Sequence, residues 1–180
     1  MKKGPAIFTK YPISTVLIFN IVALINYAIG VYLFYQINAL FAWLYLIYVL
    51  IVEITSYREG CVFCWYYGRR CAMGRGKIAP LLFKKDDPKK FCEKEVTWKN
   101  LLPTMMTTIL PILAGGYLLL QSFSWVVLVL IAVPVLTWVF GNPIIYGKLA
   151  CPHCKQGRIC CPANEFFGKK VEKKVKKKKK

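Results

Sequence analysis

Charged residues are absent from two long parts of this chain. Residues 11–52 contain no Asp, Glu, Lys or Arg, and residues 100–147 contain none either. This absence excludes an ordinary soluble domain, since each stretch is twice the roughly 20 residues that cross a membrane as one helix. Each stretch therefore predicts a hairpin of two helices rather than barrel strands, which would be short and alternating. The predicted spans are residues 13–35, 39–55, 101–120 and 123–141.

Acidic residues and histidine are scarce as well. Asp and Glu number 8 against 26 Lys and Arg, and the formal net charge is +18. His153 is the only histidine, which argues against a haem held by two histidines, and no serine–histidine–acid or cysteine–histidine pattern indicates an enzyme. The sequence therefore leaves open whether the protein is catalytic. We expect His153 to be a solvated residue rather than a metal ligand.

All 26 basic residues lie in three segments, residues 1–10, 58–99 and 148–180. Because positively charged loops stay in the cytoplasm, this distribution predicts an integral membrane protein with both termini and the middle loop on the cytoplasmic side. A cleaved signal peptide is the alternative for the first span, but its apolar run is long for one. The basic side is expected to bind anionic lipid headgroups. Nucleic acid is not favoured, because the lysine-rich tail lacks aromatic residues for stacking.

One cysteine pattern occurs twice, in residues 61–71 and 151–160. Both copies read C-x2-C followed by G-R-x-C, and each follows one predicted hairpin. We therefore expect an internal duplication with a pseudo-two-fold axis along the membrane normal. The expected organisation is a first transmembrane hairpin, a cytosolic cysteine-rich loop, a second hairpin, a second cysteine-rich segment and a disordered tail. These parts cover residues 1–56, 57–99, 100–147, 148–168 and 169–180.

The eight cysteines all lie in the basic segments. In the reducing cytoplasm disulfides are disfavoured, so cysteines at C-x2-C spacing are expected to bind metal as thiolates. Gly68 and Gly157 are expected to supply the positive φ that such turns often need. Zinc is favoured, because it suits tetrahedral four-thiolate sites and stabilises loops too short to fold alone. An iron–sulfur cluster, or redox-active thiols without metal, are the alternatives.

Two ligand schemes are open. The simpler one gives each half its own site, formed by Cys61, Cys64, Cys71 and Cys92 in the first half and by Cys151, Cys154, Cys160 and Cys161 in the second. The competing scheme joins the two C-x2-C pairs in one shared site, because adjacent cysteines cannot easily ligate one ion together. The second copy, Cys151-Pro152-His153-Cys154 with Gly157, resembles the knuckle of zinc-ribbon proteins over fewer than ten residues. That resemblance implies metal binding and no particular activity.

Few polar residues lie within the predicted spans. Glu53 is the only carboxylate there, and Arg58 is close enough in sequence to pair with it near the cytoplasmic end. An intramembrane acid is a candidate functional residue, although an ion-paired structural role fits equally well. Asn20 and Asn26 are expected to form hydrogen bonds between helices.

The middle loop contains two further signals. Asp87 is predicted to cap a short helix whose first residue is Pro88. The apolar residues 79–83 stand between lysines, so they either dip into the headgroup region or pack on the cysteine-rich loop.

Three functions fit these features. The first is a non-catalytic membrane protein whose metal-stapled cytosolic face binds a protein partner or lipid. The second is membrane electron transfer through iron–sulfur clusters, and the third is soft-metal transport or delivery. We expect the first, on an all-α integral membrane fold. Its four transmembrane helices form two duplicated hairpins, with a small cytosolic cysteine-rich metal-binding module.

Overall fold

The computed structural model describes residues 6–93 and 98–161 of the chain, and this part is all-helical. Four of its helices are long and apolar enough to cross a membrane, which confirms the predicted membrane class. The lysine-rich tail lies outside the described residues. The helices are α1 (Ile13–Ile37), α2 (Ala39–Glu59), α3 (Arg75–Leu82), α4 (Lys89–Glu93), α5 (Trp98–Gln121), α6 (Trp125–Leu136), α7 (Asn142–Ile144) and α8 (Lys155–Cys160).

The turn between α1 and α2 is a single residue, Asn38. Its backbone is extended, its N–H bonds to the carbonyl of Phe34, and its side-chain oxygen accepts from the N–H of Leu40 at 2.8 Å. One side chain thus caps the start of α2 while the backbone closes the end of α1. Helix α1 therefore continues two residues beyond its predicted end at residue 35.

The fourth span continues well beyond its predicted end at residue 141. Two π-helical turns, Thr137–Gly141 and Ile145–Ala150, flank the short α7. Pro143 lies between them and cannot donate to the helical ladder. The chain stays helical because wider bonds form instead, and the N–H of Asn142 reaches the carbonyl of Thr137 five residues back.

Glycines bring neighbouring helices into close contact. The ring of Tyr45 on α2 lies against Gly30 of α1, and Ile131 of α6 lies against Gly115 of α5. A β-carbon at either glycine would collide with the opposing side chain, so these two positions set the spacing within each hairpin.

Tyr45 also replaces a hydrogen bond that proline removes from α5. Pro111 has no N–H, so the carbonyl of Thr107, four residues earlier, lacks its helical donor. The Tyr45 hydroxyl donates to that carbonyl at 2.7 Å in a buried setting. Nearby, Tyr48 donates to the carbonyl of Pro103 at 2.8 Å. The first hairpin therefore completes the backbone bonding of the second.

Glu53 pairs with a different arginine from the one expected. Its Oε1 lies 2.6 Å from Nη2 of Arg75 at the start of α3, and the Tyr27 hydroxyl donates to the same oxygen at 2.7 Å. The prediction of Arg58 was wrong because helix α3 folds back towards the spans. The asparagines also differ from expectation, since the side-chain amide of Asn26 bonds within α1 and that of Asn20 reaches the carbonyl of Met73 as well as its own helix.

The bond between Tyr45 and Thr107 predicts a coupling that can be measured. Tyr45→Phe should lower the free energy of unfolding by about 1–2 kcal/mol, because it leaves a carbonyl without a partner in the membrane. In a Pro111→Ala background the N–H of residue 111 returns, and the same change should cost under ~0.5 kcal/mol. Denaturant unfolding in mixed micelles measures both costs. Tyr48→Phe is the control, and equal costs for Tyr45→Phe in the two backgrounds would contradict the assignment.

The ion pair between Glu53 and Arg75 predicts a second stability effect. Arg75→Gln should destabilise the protein by on the order of 1–2 kcal/mol, because the pair is only partly screened by solvent. Lys77→Gln removes a neighbouring exposed charge of α3 and should leave the unfolding midpoint unchanged. If both variants unfold alike in the same detergent, the pair does not hold α3 to the spans.

Candidate functional site

The two C-x2-C motifs have the same local backbone structure. Cys61–Phe63 and Cys151–His153 are both single 3-10 turns. Each turn is closed by an N–H to carbonyl bond of 3.2 Å, from Cys64 to Cys61 and from Cys154 to Cys151. The next residue is extended in both copies. The repeated sequence therefore forms a repeated turn, whereas the duplication of whole hairpins stays a prediction.

Backbone N–H groups point at one sulfur in each copy. The N–H of Gly76 donates to Sγ of Cys71 and that of Gly157 donates to Sγ of Cys154, both at 3.3 Å. Bonds of this kind stabilise sulfur as the thiolate. Gly68 has φ of +76°, as predicted, but Gly157 lies within α8 and has no positive φ. Gly157 is thus important for its N–H and not for its conformational freedom.

A short N-terminal segment, residues 6–11, binds both cysteine segments. Phe8 forms a single parallel bridge with Cys154, and its N–H donates to the carbonyl of His153 at 3.0 Å. The carbonyl of Phe8 accepts from the hydroxyl of Tyr66 at 2.6 Å. The segment therefore lies between the two copies, and Phe8 alone bonds to both of them.

Tyr11, at the end of this segment, is almost wholly buried, with 1% of its surface exposed. Its N–H donates to the carbonyl of Arg70 at 3.1 Å and its hydroxyl donates to the carbonyl of Ala150 at 2.7 Å. The ring packs at 5.6 Å from the equally buried ring of Tyr66. Burial raises the pKa of Tyr66 to about 12, so this hydroxyl stays protonated at neutral pH.

The two cysteine segments also contact each other directly. The N–H of Trp65 donates to Oε1 of the buried Gln156 at 2.9 Å, and the N–H of Lys155 donates to the hydroxyl of Tyr66 at 3.0 Å. The side-chain cations of Arg69 and Lys155 lie 4.3 Å and 4.2 Å from the centre of the Trp65 ring. No sequence signal marked Tyr11, Tyr66 or Gln156, because their importance comes from contacts across the fold.

His153 is half-buried and makes contacts that the sequence did not suggest. Its ring stacks on Phe8 with 4.6 Å between ring centres, and its Nδ1 lies 2.7 Å from the carbonyl of Ala6. These contacts use one ring nitrogen and one ring face to hold the N-terminal segment.

A disulfide joins Cys92, on α4, to Cys160, on α8. This pairing differs from the expectation that all eight thiols are reduced. It removes one cysteine from each predicted set of four, and the free cysteines are Cys61, Cys64, Cys71, Cys151, Cys154 and Cys161. Within residues 6–93 and 98–161, no three Cys, His, Asp or Glu side chains are arranged as a metal site.

The electrostatics of the free thiols link the two segments. Burial, together with negative charge on Cys154, Cys71 and Cys61, raises the pKa of Cys64 to about 12, although a backbone hydrogen bond from Tyr66 opposes this. Burial also raises the pKa of Cys154, although the N–H of Gly157 opposes this. Cys64 is therefore within electrostatic range of sulfurs from both segments. Ionisation of one of these thiols therefore disfavours ionisation of the others.

No known family model, curated protein or solved structure matches this chain.

The junction between the segments predicts a change in thiol accessibility. Tyr66→Phe removes two hydrogen bonds, one to Phe8 and one from Lys155. The contact between the segments should then open more often, and a maleimide should alkylate Cys154 faster. Each kcal/mol of lost contact free energy should raise the alkylation rate by about fivefold. Tyr67→Phe is the matched control, because the hydroxyl of Tyr67 bonds only within the first half, to Phe83. Mass spectrometry follows the modified cysteine. Equal rates for the two variants would contradict the role given to Tyr66.

Proposed function

We propose that this is a non-catalytic membrane protein whose two cysteine segments together hold a structural metal on the cytoplasmic side. Zinc is the favoured ion. The observation that supports the proposal best is the paired arrangement of two identical C-x2-C turns, joined by the N-terminal segment. The glycine N–H bonds to Cys71 and Cys154 add to it, since N–H donors of this kind also stabilise metal-bound thiolates.

The proposed metal needs the reduced protein. The disulfide between Cys92 and Cys160 leaves three free cysteines in each half. Its reduction returns the fourth cysteine to each half, which restores the number of thiolates that a closed tetrahedral zinc site uses. Cys64 and Cys154 are also within electrostatic range of each other, so one site shared by the two C-x2-C pairs is the alternative scheme. Both schemes tie the end of the first hairpin to the end of the second.

Zinc suits these segments better than an iron–sulfur cluster. The segments consist of single turns and short helices, which gain stability from a metal staple. The spacing of ferredoxin cysteines is missing from the sequence. Because zinc has no redox chemistry of its own, its proposed role is structural: it stabilises the fold of a binding surface.

The surface so held is aromatic and basic. The cations of Arg69, from the first half, and Lys155, from α8 in the second half, both lie over the ring of Trp65. Such a surface complements an acidic protein segment, because the cations attract carboxylates while the ring supplies apolar contact. We propose a protein partner of this kind for the cytoplasmic face.

Metal analysis of the reduced protein tests the proposal. The protein is purified anaerobically in detergent with a reductant, and its metal content and visible spectrum are measured. We expect about one or two zinc ions per chain and no colour. Iron with acid-labile sulfide and a broad visible band would replace the proposal with electron transfer. A reduced, folded protein without metal would contradict both.

Substitution of single cysteines gives the companion prediction. Cys61→Ser and Cys151→Ser should each release metal and lower the yield of folded protein, because each removes a thiolate from the site. Wild-type protein oxidised to retain the disulfide between Cys92 and Cys160 is the control, and it should bind less zinc than reduced wild type. Unchanged metal content and stability in both serine variants would exclude a structural site.

A further inference from the structure

Helix α3 exposes an apolar face that no described part of the chain covers. Leu81 is 83% exposed, and Leu82 and Ile78 are 54% and 45% exposed. The spacing of these residues, three and four apart along the helix, places them on one side. The opposite side, with Ala79 and Gly76, is buried against the protein. A face of this kind in water would be costly, whereas in lipid it is stable.

The position of α3 relative to the spans shows which solvent it meets. Just before α3, the carbonyl of Met73 accepts from the side-chain amide of Asn20 at 3.2 Å, and Arg75 pairs with Glu53. Asn20 lies about 10 Å along α1 from its start, and Glu53 lies about 9 Å before the end of α2. Helix α3 therefore begins beside the spans rather than beyond them, where its exposed face can meet lipid.

A cavity of about 360 Å³ opens beside the end of α3. Its apolar walls are Phe83 from the end of α3, and Val62 and Phe63 from the turn that follows α2. Two cationic side chains, Arg58 and Lys84, line the same cavity. Neither forms an ion pair within residues 6–93 and 98–161.

Two acids, Asp86 and Glu59, line the same cavity, and each has an interaction of its own. Asp86 is paired with Lys90 at 3.0 Å, and its N–H bonds to the carbonyl of Val62. The cavity thus presents two cations at the edge of the membrane, beside aromatic walls.

We propose that this cavity binds the phosphate of an anionic phospholipid from the surrounding leaflet, with α3 lying in the interface beside it. Arg58 and Lys84 contact the phosphate, while Phe63 and Phe83 pack on the glycerol and upper acyl carbons. Leu81 and its neighbours continue this apolar surface into the bilayer. A free phosphate ion would use the cations but would leave the apolar walls and the exposed helix face uncovered. This inference does not depend on the proposed metal.

Lipid-dependent stability tests the site. Short-chain phosphatidylglycerol is added to reduced full-length protein in a neutral detergent, and the shift in unfolding temperature is compared with that from phosphatidylcholine of the same chain length. We expect a clear preference for phosphatidylglycerol. The double variant Arg58→Gln/Lys84→Gln should weaken apparent binding by about fivefold per cation, since each contributes on the order of 1 kcal/mol near anionic lipid.

Two further variants keep the result interpretable. Lys10→Gln/Lys148→Gln removes two exposed cations outside the cavity and should keep the preference. Arg58→Lys/Lys84→Arg keeps both charges and should also keep it. Equal shifts from the two lipids, or an equal loss in the control and cavity variants, would overturn the proposal. An equal shift from inorganic phosphate would overturn the assignment to lipid.

Discussion

A backbone carbonyl inside a bilayer has no water to bond with, so each one that proline frees needs a donor from the protein. In α5 the donor is the hydroxyl of Tyr45, which comes from the other hairpin. In the fourth span the ladder widens around Pro143 into π-helical turns. These hydrogen bonds fix how the two hairpins pack. They thereby also set the positions of the helix ends from which the two cysteine segments begin.

The meeting of the two cysteine segments depends on a third part of the chain. Residues 6–11 are bonded to His153 and Ala150 on one side and to Tyr66 and Arg70 on the other. Because these bonds are mostly to backbone atoms, they set the separation of the segments whatever the oxidation state of the cysteines. The two segments are thus held together by these bonds.

Much of the fold follows from the sequence, because charge-free length and turn residues are local signals. The four spans and the capping role of Asp87, whose side chain accepts from Lys89, are examples, although α4 begins one residue later than predicted. The partner of Glu53 was not predictable, since Arg75 is brought back by the fold of the loop. Tyr11, Gln156 and the disulfide of Cys92 carry no local signal either, because each acts through residues far away in the chain.

The bond between Ala6 and His153 joins residues 147 positions apart. During synthesis at roughly 5–20 residues per second, the N-terminal segment waits on the order of 10–30 seconds for its second binding site to appear. The first cysteine segment is complete long before then and lacks its bonds to Lys155 and Gln156. The junction is therefore the last element to assemble, and a chain that stops before the second segment retains a first hairpin with an unfinished surface.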